Sequence, residues 1–346
     1  MVALGDSLTE GLGDPVPGGG WRGWAALLAA GLRPGGEGVE LHNLAVSGAL
    51  TGDLPLGQLA AACDLGPQLA ALVVGANDTL RAGYDIRTIT VNLDAALAAL
   101  TAQGATVLTA CLPDPGRMLG LPGPLARPLA RRMRSVNEVV HALDRRYGTV
   151  HVHIAGSEWV DDPRMWSVDR LHPSERGHRA LARQFHQLLR ADGTALGPPP
   201  GAEPQGPPPT RGAQTRWMAT KGTAWVVDRC TDLLPELLRL ALTEAGHRRR
   251  GETAELDRRA AADTAAALRA ALERPRPGRR DTGRPGPGRY GSDRPGGPSP
   301  DLPDLADPWA AQPARPAAVT TNRAGVPGRA WAAAARSAAG TTPTTG

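Results

Sequence analysis

The chain has 346 residues, enough for one large or two ordinary domains, but 43 Gly and 33 Pro beside one Phe and three Tyr exclude one compact body throughout. The formal charge of +5 is uneven: residues 1–192 carry 17 Arg against 19 Asp and Glu, and the remainder carries 22 basic against 15 acidic residues. The basic excess thus belongs to the C-terminal part, so no nucleic acid is expected as a partner of the N-terminal part.

The chain opens on MVALGDSLTEG, in which Val2 to Leu4 run straight into Gly5-Asp6-Ser7. This reads as a buried strand that stops abruptly and presents one serine at its carboxyl end, where open parallel sheets hold their ligands. Gly5 supplies a tight turn, and a following helix aims its N-terminal N–H groups at negative charge. A Gly/Pro-rich loop leads to a helical pattern at 21–32 with Trp24, Leu27, Leu28 and Leu32 on one face; Trp21, nearer the loop, is a candidate for lining a pocket. Residues 39–46 read as a second strand closing on Ser47-Gly48, 54–63 as a short helix, and 69–74 as a central strand ending in Gly75-Ala76-Asn77-Asp78.

Residues 85–103 form a long amphipathic helix stopped by Gly104, and 105–112 a fourth strand. A proline-rich loop follows, whose Met118, Leu119 and Leu121 are candidates for contact with a substrate, and then a helix from about 125 to 147. Residues 149–154 are a fifth strand, in which His151 and His153 read as side-by-side structural residues rather than metal ligands. Asp169 to Pro173 is a loop, and Ser174 caps a last helix that runs to about Asp192. Short apolar strands alternating with helices indicate an α/β domain whose parallel sheet is covered on both faces.

Past 192 the pattern changes. Residues 193–214 read as a Pro/Gly linker, and 215–247 as a helical segment with a helix starting near Asp232, ended by Gly246 and striped by Leu234, Leu237, Leu238 and Ala241. That stripe needs a partner, with the N-terminal domain preferred over another subunit or a membrane surface. Residues 248–346 read as a largely disordered tail rich in Arg, Pro, Gly and Ala, with a weakly stable helix at 252–273. Cys63, Cys111 and Cys230 are too scattered for a disulfide framework or a zinc spacing, so no metal and no cofactor is expected. No apolar run reaches membrane-spanning length and no leader precedes Val2, which fits the cytoplasm. The first strand begins so close to Met1 that a start further upstream is compatible with it.

Ser7, Gly48 and Asn77 each follow a strand, and Asp169 and His172 lie between the fifth strand and the last helix, so all five converge on one sheet edge. A serine hydroxyl needs a base, and His172 supplies an imidazole that takes and returns a proton. Asp169, three residues earlier, is placed to hold the ring's tautomer and stabilise its cation. The N–H groups of Ser7 and Gly48 and the amide of Asn77 are candidate oxyanion donors. Singly, Asn77-Asp78 is a common turn pair, Gly48 a common turn glycine and Asp169-x-x-His172 an ordinary loop; only their joint order is informative. Asp6, Asp78, Glu10 and His178 read as structural.

GDSLTEG at Gly5–Gly11, NLAVSG at Asn43–Gly48, GAND at Gly75–Asp78 and DRLHP at Asp169–Pro173 resemble the four blocks of the GDSL, or SGNH, hydrolase family, over roughly residues 1–192. The resemblance implies a flavodoxin-like three-layer α/β/α sandwich on a mostly five-stranded parallel sheet. It also implies hydrolysis of small-molecule esters or thioesters through an acyl-serine, with Ser7, His172 and Asp169 as triad and Ser7, Gly48 and Asn77 as oxyanion donors. An acyltransferase using the same site, or a non-catalytic binding or scaffold protein, is the alternative. The short first strand departs from the family pattern.

Overall fold

The structure is a computed structural model that describes residues 1–34, 39–206, 212 and 223–275, with only the backbone of 223–234. Five strands form one parallel sheet: β1 (Val2–Gly5), β2 (His42–Asn43), β3 (Leu69–Val73), β4 (Thr106–Cys111) and β5 (Val150–His153), in the order β2-β1-β3-β4-β5. Every residue of β1 and β3 is buried, as their unbroken apolar runs require of central strands packed on both faces. The register pairs Gly5 with Val73, so β1 and β3 end side by side. Strand order reverses between these two, which opens a crevice beyond their carboxyl ends.

The crossover connections distribute the helices over both faces of the sheet. On one face α2 (Gly23–Gly31) packs against α8 (Glu175–Ala191), with Trp24 stacked on Phe185 at a ring separation of 4.9 Å and both side chains fully buried. The other face carries α3 (Gln58–Asp64), α5 (Ile86–Ala102) and α7 (Gly123–Tyr147). Asp85 caps α5 by accepting from the N–H groups of Arg87 and Thr88, and Ser174 caps α8 by accepting from Gly177. Three one-turn helices sit at the strand ends: α1 (Ser7–Glu10), α4 (Ala76–Thr79) and α6 (Pro115–Met118).

The second strand is far shorter than the expected 39–46. Only His42 and Asn43 pair fully with β1, because this is an edge strand with one neighbour; the extended chain nevertheless continues, with Leu44 and Val46 donating to the carbonyls of Ala3 and Gly5. The stretch expected as one helix at 54–63 is a 3-10 turn at Thr51–Leu56, broken at Gly57, and then α3.

The C-terminal part also differs from expectation. Residues 193–206 are no free spacer: Ala195 is buried, Leu196 donates to Leu32, and Arg179 and Arg183 donate to the carbonyls of Gly201 and Pro200. The next helix, α9, runs Thr223–Arg249, starting before Asp232 and passing through Gly246, whose low helix propensity of about 1 kcal/mol its neighbours override. It lies on α7, but its apolar stripe is divided: Leu237 is buried while Leu238 is exposed. Ion pairs of Glu236 with Arg132 (2.8 Å) and Glu244 with Arg131 (3.1 Å) do the holding. Likewise α10 (Thr253–Leu272), expected to be weakly stable, packs on α5 and α7, because Ala267 and Ala271 are small enough to approach closely and become buried. Pro207–Pro209, Trp217 and the tail beyond 275 lie outside the described residues, as do the side chains of Trp225 and Cys230.

Candidate active site

Gly5 ends β1 at φ +147°, and a Cβ there would stand 2.1 Å from the carbonyl oxygen of Val73. Only glycine lets β1 and β3 approach this closely and still turn sharply into α1. The turn places Ser7 as the first residue of α1, 8% exposed. Its Oγ lies 2.7 Å from Nε2 of His172, itself 6% exposed. Nδ1 of His172 lies 2.6 Å from Oδ2 of Asp169. A carboxylate only accepts, so Nδ1 carries the ring proton and Nε2 turns its lone pair to the serine hydroxyl.

The Asp169 loop is built to hold that carboxylate. Arg170 adopts φ +56°, an uncommon conformation for a residue with a Cβ, and it closes the turn. Oδ1 of Asp169 then accepts from the Ser167 hydroxyl (2.7 Å), Leu171 N–H (2.9 Å) and His172 N–H (3.0 Å). Burial works against the charge, but the His172 ring, its N–H and the Ser167 hydroxyl hold the pKa down to about 2.

Gly48 takes φ +81° in the loop after β2, and Glu10 fixes that loop by accepting from the Ser47 N–H and hydroxyl. Among the described residues, neither Ser7 nor Gly48 donates its N–H to another group. Asn77 lies in α4 just beyond β3, and its amide donates to Oδ2 of Asp6 and to the Ala49 carbonyl, both at 3.2 Å. Asp6 also caps α1 through Leu8 N–H (3.0 Å), and burial pushes its pKa up to about 6. Asp78 accepts from the N–H and hydroxyl of Thr51, which ties the loop after β2 to α4. His178 is structural: fully buried, it accepts from Trp24 N–H (3.2 Å) and donates to the Leu12 carbonyl (2.8 Å).

Ser7, Asn77 and His172 border one apolar pocket, walled by Leu80, Pro113, Met118, Trp159 and Trp166. Of the four candidates, Met118 is there. Trp21 is not, since it bridges to Pro15 in the preceding loop, and neither Leu119, the C-cap of α6, nor Leu121 lines the pocket. Trp159 and Trp166 were not anticipated; their rings lie 5.5 Å apart and Trp166 donates to the Val160 carbonyl. Their position between the last strand and the Asp169 loop was the available signal, because loops at the carboxyl edge build the pocket of such a sheet.

The sequence pattern of the GDSL-like lipase/acylhydrolase family matches residues 3–180, just over half of the chain. The chain belongs to this family. An arylesterase of Vibrio mimicus is 34% identical to it over 109 residues, 31% of this chain and 52% of the relative, so the chain matches about half the relative's length. Among solved structures, an acetylxylan esterase from Geobacillus stearothermophilus matches 54% of this chain and 92% of its own, at 22% identity and a TM-score of 0.45. A lipase/acylhydrolase from Enterococcus faecalis matches 55% and 95%, at 18% identity and a TM-score of 0.42. Among the described residues no helix is long and apolar enough to cross a membrane.

Proposed function

We propose that this family member hydrolyses carboxylic esters of small alcohols or phenols through an acyl-serine intermediate on Ser7. The single observation that carries this reading is the hydrogen-bonded line from Ser7 Oγ through the His172 ring to Asp169, at 2.7 and 2.6 Å. In it, Nε2 of His172 takes the proton as Oγ attacks the ester carbonyl, and Asp169 stabilises the imidazolium that forms. The same proton then goes to the departing alkoxide. Water repeats the sequence on the acyl-serine and releases the acid.

The N–H groups of Ser7 and Gly48 receive the oxyanion, with the Asn77 amide as third donor. Both resting hydrogen bonds of Asn77 are long at 3.2 Å, so redirecting one N–H to the oxyanion loses little. The pocket walls suit an uncharged acyl group, and the aryl ester cleaved by a relative of that name is a sensible first probe. The test is steady-state kinetics of the full chain on nitrophenyl esters of increasing acyl length and on acetylated sugars. Turnover of short acyl esters that falls roughly 10⁴-fold or more in Ser7→Ala supports the reading. Unchanged turnover in that variant refutes it.

A further inference from the structure

A second cluster of reactive side chains lies on the α7 side of β4 and β5. Register pairs Thr109 with His151 and Cys111 with His153, so these four alternate residues share one sheet face. His141 descends from α7 onto them, and the three imidazole rings stand 4.6 to 5.0 Å apart. One ligand atom from each of Cys111, His141, His151 and His153 lies within 4.8 Å of all the others. Sγ of Cys111 is 3.9 Å from Nδ1 of His153.

The surrounding hydrogen bonds fix which nitrogen of His151 is bare. The Asp144 carboxylate accepts from the Thr149 hydroxyl, 2.6 Å away. Thr149 has then spent its proton, so Thr109 must donate to Thr149 across 2.8 Å. Thr109 has then spent its own, so it accepts from Nδ1–H of His151 at 2.9 Å. Nε2 of His151 is left as a lone pair, oriented by a carboxylate-terminated chain of the kind that positions metal-ligating histidines. Among the described residues, Nε2 of His151 and Nε2 of His141 are both buried without any hydrogen-bond partner. Three imidazoles converging on a thiol, two with unmatched buried nitrogens, leave polar groups that a cation would satisfy.

We propose that Cys111, His141, His151 and His153 form a structural site for a zinc-class divalent cation, independent of the ester chemistry at Ser7. The imidazole and thiolate donors select a borderline-soft ion such as zinc over calcium or magnesium. A tetrahedral zinc, with Zn–N of about 2.0–2.1 Å and Zn–S of about 2.3 Å, sets its ligand atoms roughly 3.3–3.7 Å apart, a contraction that side-chain rotation supplies. Four protein ligands close the coordination sphere, the arrangement of structural rather than catalytic zinc. Binding breaks the S–H bond of Cys111: the thiolate pair goes to the metal and the proton to solvent. The ion clamps the edge strand β5 to β4 and α7, directly behind Leu112 and Ile154 of the pocket wall.

The test is titration of the reduced, chelator-treated full chain with Co2+ and then Zn2+. We expect one equivalent of Co2+ to give tetrahedral d–d bands and a thiolate-to-cobalt charge-transfer band, both removed by Zn2+, and Zn2+ to raise Tm. Cys111→Ser should lose the charge-transfer band. His153→Ala, at an exposed position that spares the core, should weaken uptake roughly 100-fold. Cys63→Ser and Ser7→Ala should titrate like the parent, which separates this site from the esterase reading. No charge-transfer band in the parent chain, or an unaltered titration in His153→Ala, overturns the proposal.

Discussion

At the scale of single residues, the site depends on where protons sit. Asp169→Asn keeps the size of the side chain but lets the loop present an amide to Nδ1 of His172, favouring the wrong tautomer. The expected result is a kcat lower by about 10⁴-fold with Tm nearly unchanged; a loss under tenfold would remove Asp169 from the mechanism. If Asn77 donates to the oxyanion as proposed, Asn77→Ala should lower kcat by about 10² to 10³ with little change in KM. His178 shows how a buried imidazole serves stability instead. Burial holds its pKa down to about 4 against 6.5, so unfolding takes up a proton at mildly acidic pH. Its contribution is therefore complete above pH 6.5 and is lost as pH falls through about 4. Denaturant melts of the parent and His178→Gln at pH 7 and pH 4 should show the gap between them narrowing in acid. A constant gap contradicts the assignment.

At the scale of elements, the same physics decides what could be read in advance. The central strands and the capped helices α5 and α8 were legible, because a continuous buried run and a capping residue are local signals. So were Ser7, Asn77, Asp169 and His172 as a group, since each follows a strand that ends at one edge. What escaped reading depends on tertiary partners. The single neighbour of β2 shortens it, α5 and α7 hold α10, and two tryptophans enter the pocket from an irregular loop. The histidine cluster escaped because its members come from α7, β4 and β5, and no local spacing announces such a set. Two predictions belong here. Phe185→Ala, by emptying the space against Trp24 between α2 and α8, should cost about 3–5 kcal/mol in urea unfolding; under 1 kcal/mol would mean the stack is not a core contact. Met118→Ala enlarges the pocket beside Ser7 and should move the best acyl chain to a longer one, seen as a rise in the kcat/KM ratio of hexanoyl over acetyl ester.

At the scale of the whole molecule, residues 3–180 carry the family pattern, while α9 and α10 pack on the helical face away from α2 and α8. Removing everything after residue 206 strips Arg131 and Arg132 of Glu244 and Glu236, and Arg146 of the Leu272 carbonyl. Such a chain should keep its catalytic geometry but melt about 5 °C lower or more, with kcat/KM changed only a few-fold. The account as a whole rests on Ser7 being a nucleophile activated by His172. The most direct measurement is labelling of the folded full chain with a serine-directed phosphonate, located by peptide mass mapping. The account predicts one adduct per chain on the Ser7 peptide, absent in Ser7→Ala and strongly slowed in His172→Ala. An unlabelled folded protein, or an adduct on another residue, would contradict it.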